Sequence, residues 1–202
     1  MKWVLATGNQ GKVKELASML APLDVEIVPQ SEFDVPEVPE TGTTFVENAI
    51  IKARHAARIT GLSAIADDSG LEVDCLQGKP GIYSSRYAGE QASDSDNVEK
   101  LLTALNGVPP QQRTARFRCV LVFMRHADDP TPLICQGRWN GNIAQIAFGD
   151  GGFGYDPIFI PSDMTVTAAE ITKQQKNKIS HRGQALNALL SELPAFLNPQ
   201  PV

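Results

Sequence analysis

The chain has 202 residues, 42% of them hydrophobic, enough for one large α/β core or two closely joined lobes. Eighteen Lys and Arg against 23 Asp and Glu leave a net charge of −5, which argues against bulk electrostatic binding to nucleic acid or to an anionic membrane surface. Cys75, Cys119 and Cys135 are odd in number and far apart, with no Cys-x-x-Cys or Cys/His pairing, so neither a disulfide framework nor a zinc site is indicated and a reducing compartment fits. The first apolar run is too short for a signal-sequence core, and no long apolar span follows; the expectation is a soluble, cytoplasmic protein.

In chain order, the apolar run Trp3 to Ala6 meets Thr7-Gly8-Asn9-Gln10-Gly11-Lys12, and an amphipathic segment with Val13, Leu16, Ala17 and Leu20 at helical spacing follows. This pattern predicts strand, tight turn and helix. Two glycines allow close backbone approach, while the helix start supplies unpaired N–H groups, a positive dipole end and Lys12, the ingredients of a phosphate site. It is not a Walker A loop, since the glycines are too close together and Val13 stands where Ser or Thr would be needed. A βα turn shaped only by conformational needs is equally compatible with the local pattern. Pro22 should end the helix before a strand at Val25 to Val28, making a βαβ-like start. Residues 31–42, rich in Pro and Glu, read as an irregular loop. Thr44 and Glu47 form a capping-box signature for a helix through about Ile59.

Leu62 to Asp67 and Leu71 to Leu76 read as two short strands joined by a turn at Asp68-Ser69-Gly70, and residues 78–89 as a long loop. A further helix has acidic Asp94 and Asp96 in its first turn, apolar Val98, Leu101, Leu102 and Leu105, and stop signals at Gly107 and Pro109. Thr114 to Met124 places Ala115, Phe117, Cys119, Leu121 and Phe123 on one face. With Leu133 to Trp139 and Ile143 to Ala147 it predicts an antiparallel meander. Thr167 to Glu170 is another capping-box signature, and Ala185, Leu186, Leu189 and Leu190 mark a final helix before a proline-bearing tail. No repeat or low-complexity linker interrupts the chain.

Several segments carry residues suited to chemistry. Asp67 and Asp68 end an apolar strand, where α/β proteins expose functional groups, and a hard carboxylate there would suit Mg2+ with substrate phosphates; a turn in which both simply bind local N–H groups is the alternative. Glu40 and Glu37 lie in the proline-rich loop. Asn48 and Lys52 share a helix face one turn apart. Gly152-Phe153-Gly154-Tyr155-Asp156 joins glycines, aromatics and a carboxylate, a composition able to stack on a base and read its edge, or else to bury its rings as an anchor. Lys176, Lys178 and Ser180-His181-Arg182-Gly183 put cations at a helix start, where an anion or electron-rich carbonyl would relieve their conflict with the dipole.

Taken together, Thr7 to Lys12, Glu40-Thr41-Gly42 with Phe45 to Lys52, Ala66-Asp67-Asp68-Ser69-Gly70, Pro80-Gly81-Ile82-Tyr83-Ser84, Gly152 to Pro157 and Ser180 to Gly183 stand in one order over nearly the whole chain. In that order they resemble the inosine triphosphate pyrophosphatase family, the Ham1-like non-canonical purine nucleoside triphosphate pyrophosphatases, particularly its bacterial members. The resemblance implies a single two-lobed domain over residues 1–202, of α/β class, with an elongated mixed twisted sheet flanked by helices and a central substrate cleft. It also implies a homodimer and Mg2+-dependent hydrolysis of ITP, dITP and XTP to the monophosphate and pyrophosphate, removing deaminated purines from the nucleotide pool. Residue by residue, Thr7, Gly8, Asn9, Gln10, Gly11 and Lys12 would hold the triphosphate with Lys52 assisting, and Glu40 and Asp68 would organise Mg2+. Asp68 would also be the proton acceptor and Ser69 a substrate contact, while Phe153, Gly154, Tyr155, Asp156, Lys176, His181 and Arg182 would form the base pocket.

Two rivals remain at this level. A Maf-type nucleotide pyrophosphatase shares the general fold, but the motifs at Phe153 to Asp156 and Ser180 to Gly183 argue against it. A nucleotide sensor without turnover would not need the Glu40 and Asp68 pair.

Overall fold

The computed structural model describes residues 2–21 and 25–198; the expected helix stop at Pro22 and the proline-bearing tail past position 198 lie outside them. Six strands form one mixed sheet in the order β2-β1-β3-β4-β5-β6. The chain makes two compact units. One comprises Met1–Asp68, Cys119–Gly137 and Gln184–Val202, and the other Ser69–Arg118 and Arg138–Gly183.

In the first unit, β1 (Lys2–Ala6) runs parallel to β2 (Glu26–Pro29) and to the start of β3 (Ser63–Val73), with Val4 opposite Val28 and Ala64. The helical crossovers expected of parallel strands are α1 (Gln10–Leu20) and α2 (Phe45–Thr60). Successive strand side chains alternate between faces, and the two faces choose different helices. Trp3, Leu5, Ile65 and, from β4 (Thr114–Met124), Cys119, Leu121 and Phe123 pack with Leu16 and Leu20 of α1 and with Ala185, Leu186, Leu189 and Leu193 of α5 (His181–Leu197). Val4, Ala6, Ala64, Ala66, Val120, Val122 and Met124 pack against an alanine stripe on α2, formed by Ala49, Ala53, Ala56 and Ala57. Both faces of β4 are therefore buried from residue 119 onward, beyond the one-sided alternation read from the sequence. Ala17 of α1 is exposed, whereas Leu16 and Leu20 are fully buried.

In the second unit, β6 (Phe159–Pro161) pairs antiparallel with the end of β5 (Leu133–Ile143), placing Ile143 opposite Phe159. Leu71, Val73, Phe117, Trp139, Ile143, Tyr155, Ile158 and Phe159 form its core with Leu101 and Leu105 of α3 (Asp94–Ala104). The expected long loop at 78–89 contains a 3-10 helix, Gly81–Arg86.

Three expectations are corrected. Residues 63–73 form one continuous strand rather than two joined by a turn: Ala66, Asp67, Asp68, Gly70 and Leu71 are all buried in line, and extended backbone persists through the polar residues. Strand β5 continues to Ile143, and the last strand is Phe159–Pro161 rather than Ile143 to Ala147, because Ala144 already donates its N–H to Ile158. At Thr167 the capping bonds do form, with Glu170 Oε2 accepting Thr167 N at 2.7 Å and Thr167 Oγ1 at 3.0 Å. No helix follows there, since Ala168 N donates to Phe159 O and Ala169 N to Asp156 O; the helix α4 (Lys173–Ile179) starts instead after its cap Thr172.

The turn after β4 is closed by Asp129, whose side chain is fully buried. It accepts Arg125 Nη2 at 2.7 Å, Arg125 Nε at 2.9 Å, and the backbone N–H groups of Arg125 and Thr131, both at 3.1 Å. The Arg125 guanidinium bond, with those backbone donors, holds the Asp129 carboxyl far below the usual carboxylate range. A depressed folded pKa gives stability that is complete above the unfolded value near about 4 and is lost as pH falls toward the folded value. Asp129→Ala should lower Tm at neutral pH by several degrees, and thermal melts from pH 7 to pH 2 should show the gap from the parent closing at the acid end.

Candidate functional site

The turn between β1 and α1 is held by its own side chains. Thr7 Oγ1 accepts Asn9 N at 3.3 Å, and Asn9 caps α1 by accepting Lys12 N at 3.1 Å. Of the first-turn N–H groups, those of Gln10 and Gly11 still have no acceptor within the helix, the condition for anion binding. The Gln10 side chain lies outside what is described. Gly8 and Asn9 are exposed, Thr7 is nearly buried, and Lys12 reaches inward to Asp67 Oδ2 at 2.9 Å.

The continuity of β3 decides where the two aspartates go. Asp67 shares the parity of Ile65 and faces the α1 side, where it meets Lys12. Asp68 shares the parity of Ala64 and Ala66 and faces α2, where Lys52 reaches it. Lys52 Nζ lies 2.9 Å from Asp68 Oδ1 and 2.9 Å from Glu40 Oε1, bridging strand and loop. Asn48, one turn earlier on α2, does not join this group; it is fully buried and accepts Gly42 N at 2.9 Å, fixing the loop just after Glu40.

Burial pushes the Asp68 carboxyl above the usual carboxylate range, and the nearby Lys52 and Lys12 ammonium groups reverse only part of that shift. Burial alone would weaken the charge on Lys52, but Asp68, Asp67 and Glu40 outweigh it and raise its pKa. Asp68 Oδ2 is buried and has no hydrogen-bond partner among the described residues. In this cluster the carboxylates Glu40, Asp67 and Asp68 outnumber the ammonium groups Lys12 and Lys52 by one. An unpartnered buried carboxylate oxygen and an excess of negative charge fit a hard divalent cation. Among the described residues no group of three or more His, Cys, Asp or Glu forms a closed cage. Mg2+ commonly binds through one or two carboxylates and completes its shell with phosphate oxygens and water.

The second unit holds the other candidate residues. Lys176 on α4 is buried, whereas Lys173 and Lys178 are exposed. Its Nζ lies 2.5 Å from Asp156 Oδ2, which also accepts Phe153 N at 2.9 Å. Asp156, nearly fully buried, therefore holds the loop and the lysine together. The Phe153 ring has Lys176 Nζ 4.8 Å and the Arg182 guanidinium carbon 5.4 Å from its centroid. Arg182 Nη2 donates to Ser69 Oγ at 3.1 Å, joining the end of the Asp67-Asp68-Ser69 run to the first turn of α5. His181 and Arg182 lie inside that turn rather than before it, after Ser180, whose Oγ accepts Gly183 N.

Two residues expected in the base pocket are buried. Tyr155 is buried in the core and donates its hydroxyl to Ser84 O at 2.8 Å; burial raises its pKa further from neutrality. His181 is buried, with its ring stacked on Phe117 at 4.7 Å and 11°. Gly154 donates its N–H to Asp94 Oδ2 at 2.6 Å, a contact with a residue that the sequence pattern marks only as part of an acidic helix start. A carboxylate that grips backbone leaves no mark in a pattern of side chains.

The Ham1 family model matches residues 3–192. A dITP/XTP pyrophosphatase of Vibrio vulnificus is 65% identical over 192 residues, covering 95% of this chain and 96% of that protein. One of Salmonella paratyphi A is 60% identical, covering 95% and 98%. Among solved structures, a HAM1 protein from Coxiella burnetii aligns with a TM-score of 0.89 at 51% identity over 96% of this chain and 98% of that one. The Ham1 protein of Staphylococcus aureus aligns at 0.86 and 42% identity over 97% and 100%. With this fold, this order of motifs and likeness along nearly its whole length, the chain belongs to the Ham1 family.

Proposed function

We propose that this protein is a pyrophosphatase of non-canonical purine nucleoside triphosphates, hydrolysing ITP, dITP and XTP to the monophosphate and pyrophosphate. The observation that carries this reading is Asp68: one oxygen is bound to Lys52, and the other is buried without a hydrogen-bond partner among the described residues. A carboxylate so placed can accept a proton, and its raised pKa makes it a better base than an exposed aspartate. The family membership and the names of the similar proteins support the same reaction class.

The triphosphate is assigned to the first unit, to the N–H groups at the start of α1 with Thr7, Lys12 and Lys52. Asp68 orients a water molecule and takes its proton as the water oxygen attacks a phosphorus of the α-β linkage. The bond from that phosphorus to the bridging oxygen breaks, and pyrophosphate and the nucleoside monophosphate separate. Lys12 and Lys52 oppose the charge that develops on the transferring and leaving oxygens. Glu40 and Asp68 are the residues that would hold Mg2+, which supplies charge neutralisation for the phosphates in a cluster that is otherwise anionic. Asp67 anchors Lys12 on the far face of β3, so the chemistry and the anchoring fall to adjacent residues with separate tasks.

The base is assigned to the second unit. Hypoxanthine and xanthine carry an oxygen acceptor at C6 where adenine carries an amino donor, so the cations Lys176 and Arg182 match the former and leave a mismatch with the latter. Phe153 supplies a ring for stacking and Ser69 a hydroxyl, while Asp156, Gly154 and Tyr155 hold the loop. His181, packed on Phe117, supports Arg182 from the same turn of α5. A homodimer in the cytoplasm belongs to the same reading; the exposed apolar Ile146, Phe148 and Val166 of the second unit support association, and sedimentation velocity tests it.

Product analysis with Mg2+ on ITP, dITP, XTP and ATP should give pyrophosphate and monophosphate from the first three and little from ATP. Orthophosphate release would move the attack to the terminal phosphate, and binding of ITP without turnover would indicate a sensor. Asp68→Asn should lower kcat by about a hundredfold or more with little change in KM; an equal loss in Asp67→Asn would reverse the two assignments. Arg182→Ala should shrink the ratio of kcat/KM for ITP over ATP by about tenfold, and an unchanged ratio would remove Arg182 from base reading.

A further inference from the structure

The loop that carries Phe153 is costly to order. Gly152 and Gly154 both have positive φ, +73° and +62°, and a methyl group at Gly152 would collide with the Asp156 carboxylate, so the geometry calls for glycines that are highly mobile when unfolded. The bonds that restrain the loop include Phe153 N to Asp156 Oδ2, Tyr155 hydroxyl to Ser84 O, and Gly154 N to Asp94 Oδ2, with Gly151 N to Ala169 O and Asp156 N to Phe153 O beside them. The first is internal to the loop and the second fixes its far side. Among the described residues, the third grips the peptide between Phe153 and Gly154 from outside the loop.

The other end of that bond is rigid. Asp94 is the first residue of α3, whose start is held by a reciprocal cap in which Ser93 Oγ accepts Asp96 N at 3.2 Å and Asp96 Oδ2 accepts Ser93 N at 2.8 Å. Asn97, one turn along, accepts Ala88 N at 2.7 Å and donates to Ser85 O at 3.1 Å, beside the Ser84 carbonyl that receives Tyr155. The first turns of α3 thus serve as a frame for both the 84–88 segment and the glycine loop.

We infer that Asp94 is a positioning residue for base recognition, holding the Gly154 peptide so that the Phe153 ring and its two cations are ordered before a purine arrives. The inference rests on the assignment of Phe153, Lys176 and Arg182 to the base. Asp94 touches no substrate atom; it lowers the ordering cost that binding would otherwise incur. Loss of a charge-assisted bond to the loop should therefore appear in binding rather than in the chemical step.

The test uses Asp94→Ala and Asp94→Asn, with kcat and KM for ITP and amide hydrogen exchange at Gly154. Because the Ser93 and Asp96 cap remains, α3 should keep its start in both variants. Asp94→Ala should raise KM about tenfold, keep kcat within about twofold, and speed exchange at Gly154. Asp94→Asn, which retains an oxygen acceptor, should recover most of the KM and the slow exchange. An unchanged KM in Asp94→Ala would overturn the inference, as would a loss confined to kcat or Tm that Asn does not rescue. If the parent protein fails to turn over ITP, the base assignment falls by itself; exchange at Gly154 then decides the clamp, with faster exchange in Asp94→Ala upholding it and equal rates overturning it.

Discussion

Consecutive side chains on an extended strand point to opposite faces, and in β3 that rule separates two adjacent aspartates. Had the chain turned at Asp68, both carboxylates could have bonded to nearby N–H groups, leaving Lys12 without Asp67 and Lys52 with Glu40 alone of its two carboxylates. Because the strand runs on, Asp67 anchors Lys12 beside α1 while Asp68 and Glu40 grip Lys52 beside α2. The packing follows the same parity: Ile65 lies with the leucines of α1 and Ala64 and Ala66 with the alanine stripe of α2. Hydrophobic sorting and charge placement are two readings of one alternation, so a register slip of one residue would exchange both together.

The charged groups of the two units are balanced differently. In the first, carboxylates exceed ammonium groups, a condition that suits a divalent cation arriving with phosphate. In the second, Asp156 neutralises Lys176 while Arg182 bonds to a serine hydroxyl and lies over an aromatic ring. Such an arrangement suits a neutral heterocycle offering an acceptor.

Helix α2 is legible almost to the residue because its cap, Thr44 with Glu47, is a local hydrogen-bonding pattern, and the start of α3 is legible from acidic Asp94 and Asp96 in its first turn. The strand, turn and helix from β1 through α1 are legible from a similarly local pattern. The run Asp68-Ser69-Gly70 reads as a turn because its polarity is satisfied by Lys52 and Arg182, far off in sequence, and propensity does not see such partners. Thr167 shows the converse: the capping bonds form as read, but the backbone donors behind them are taken by Phe159 and Asp156. At the candidate site the residue types were legible, but their division of labour was not. Tyr155 and Phe153 are both aromatic loop residues, and only packing separates the buried anchor from the ring lined by cations.

The core formed around β1 takes Ala185, Leu186, Leu189 and Leu193 from α5, so neither unit is a contiguous piece of chain. During synthesis, residues 3–6 leave the ribosome well before the helix that covers one of their faces. That face of the first unit cannot close until translation has passed position 193, and by then the whole second unit has been made. Folding of the first unit is thereby coupled to the synthesis of α5, and the exposed Trp3, Leu5, Phe123 surface in the interval is a natural client for chaperones.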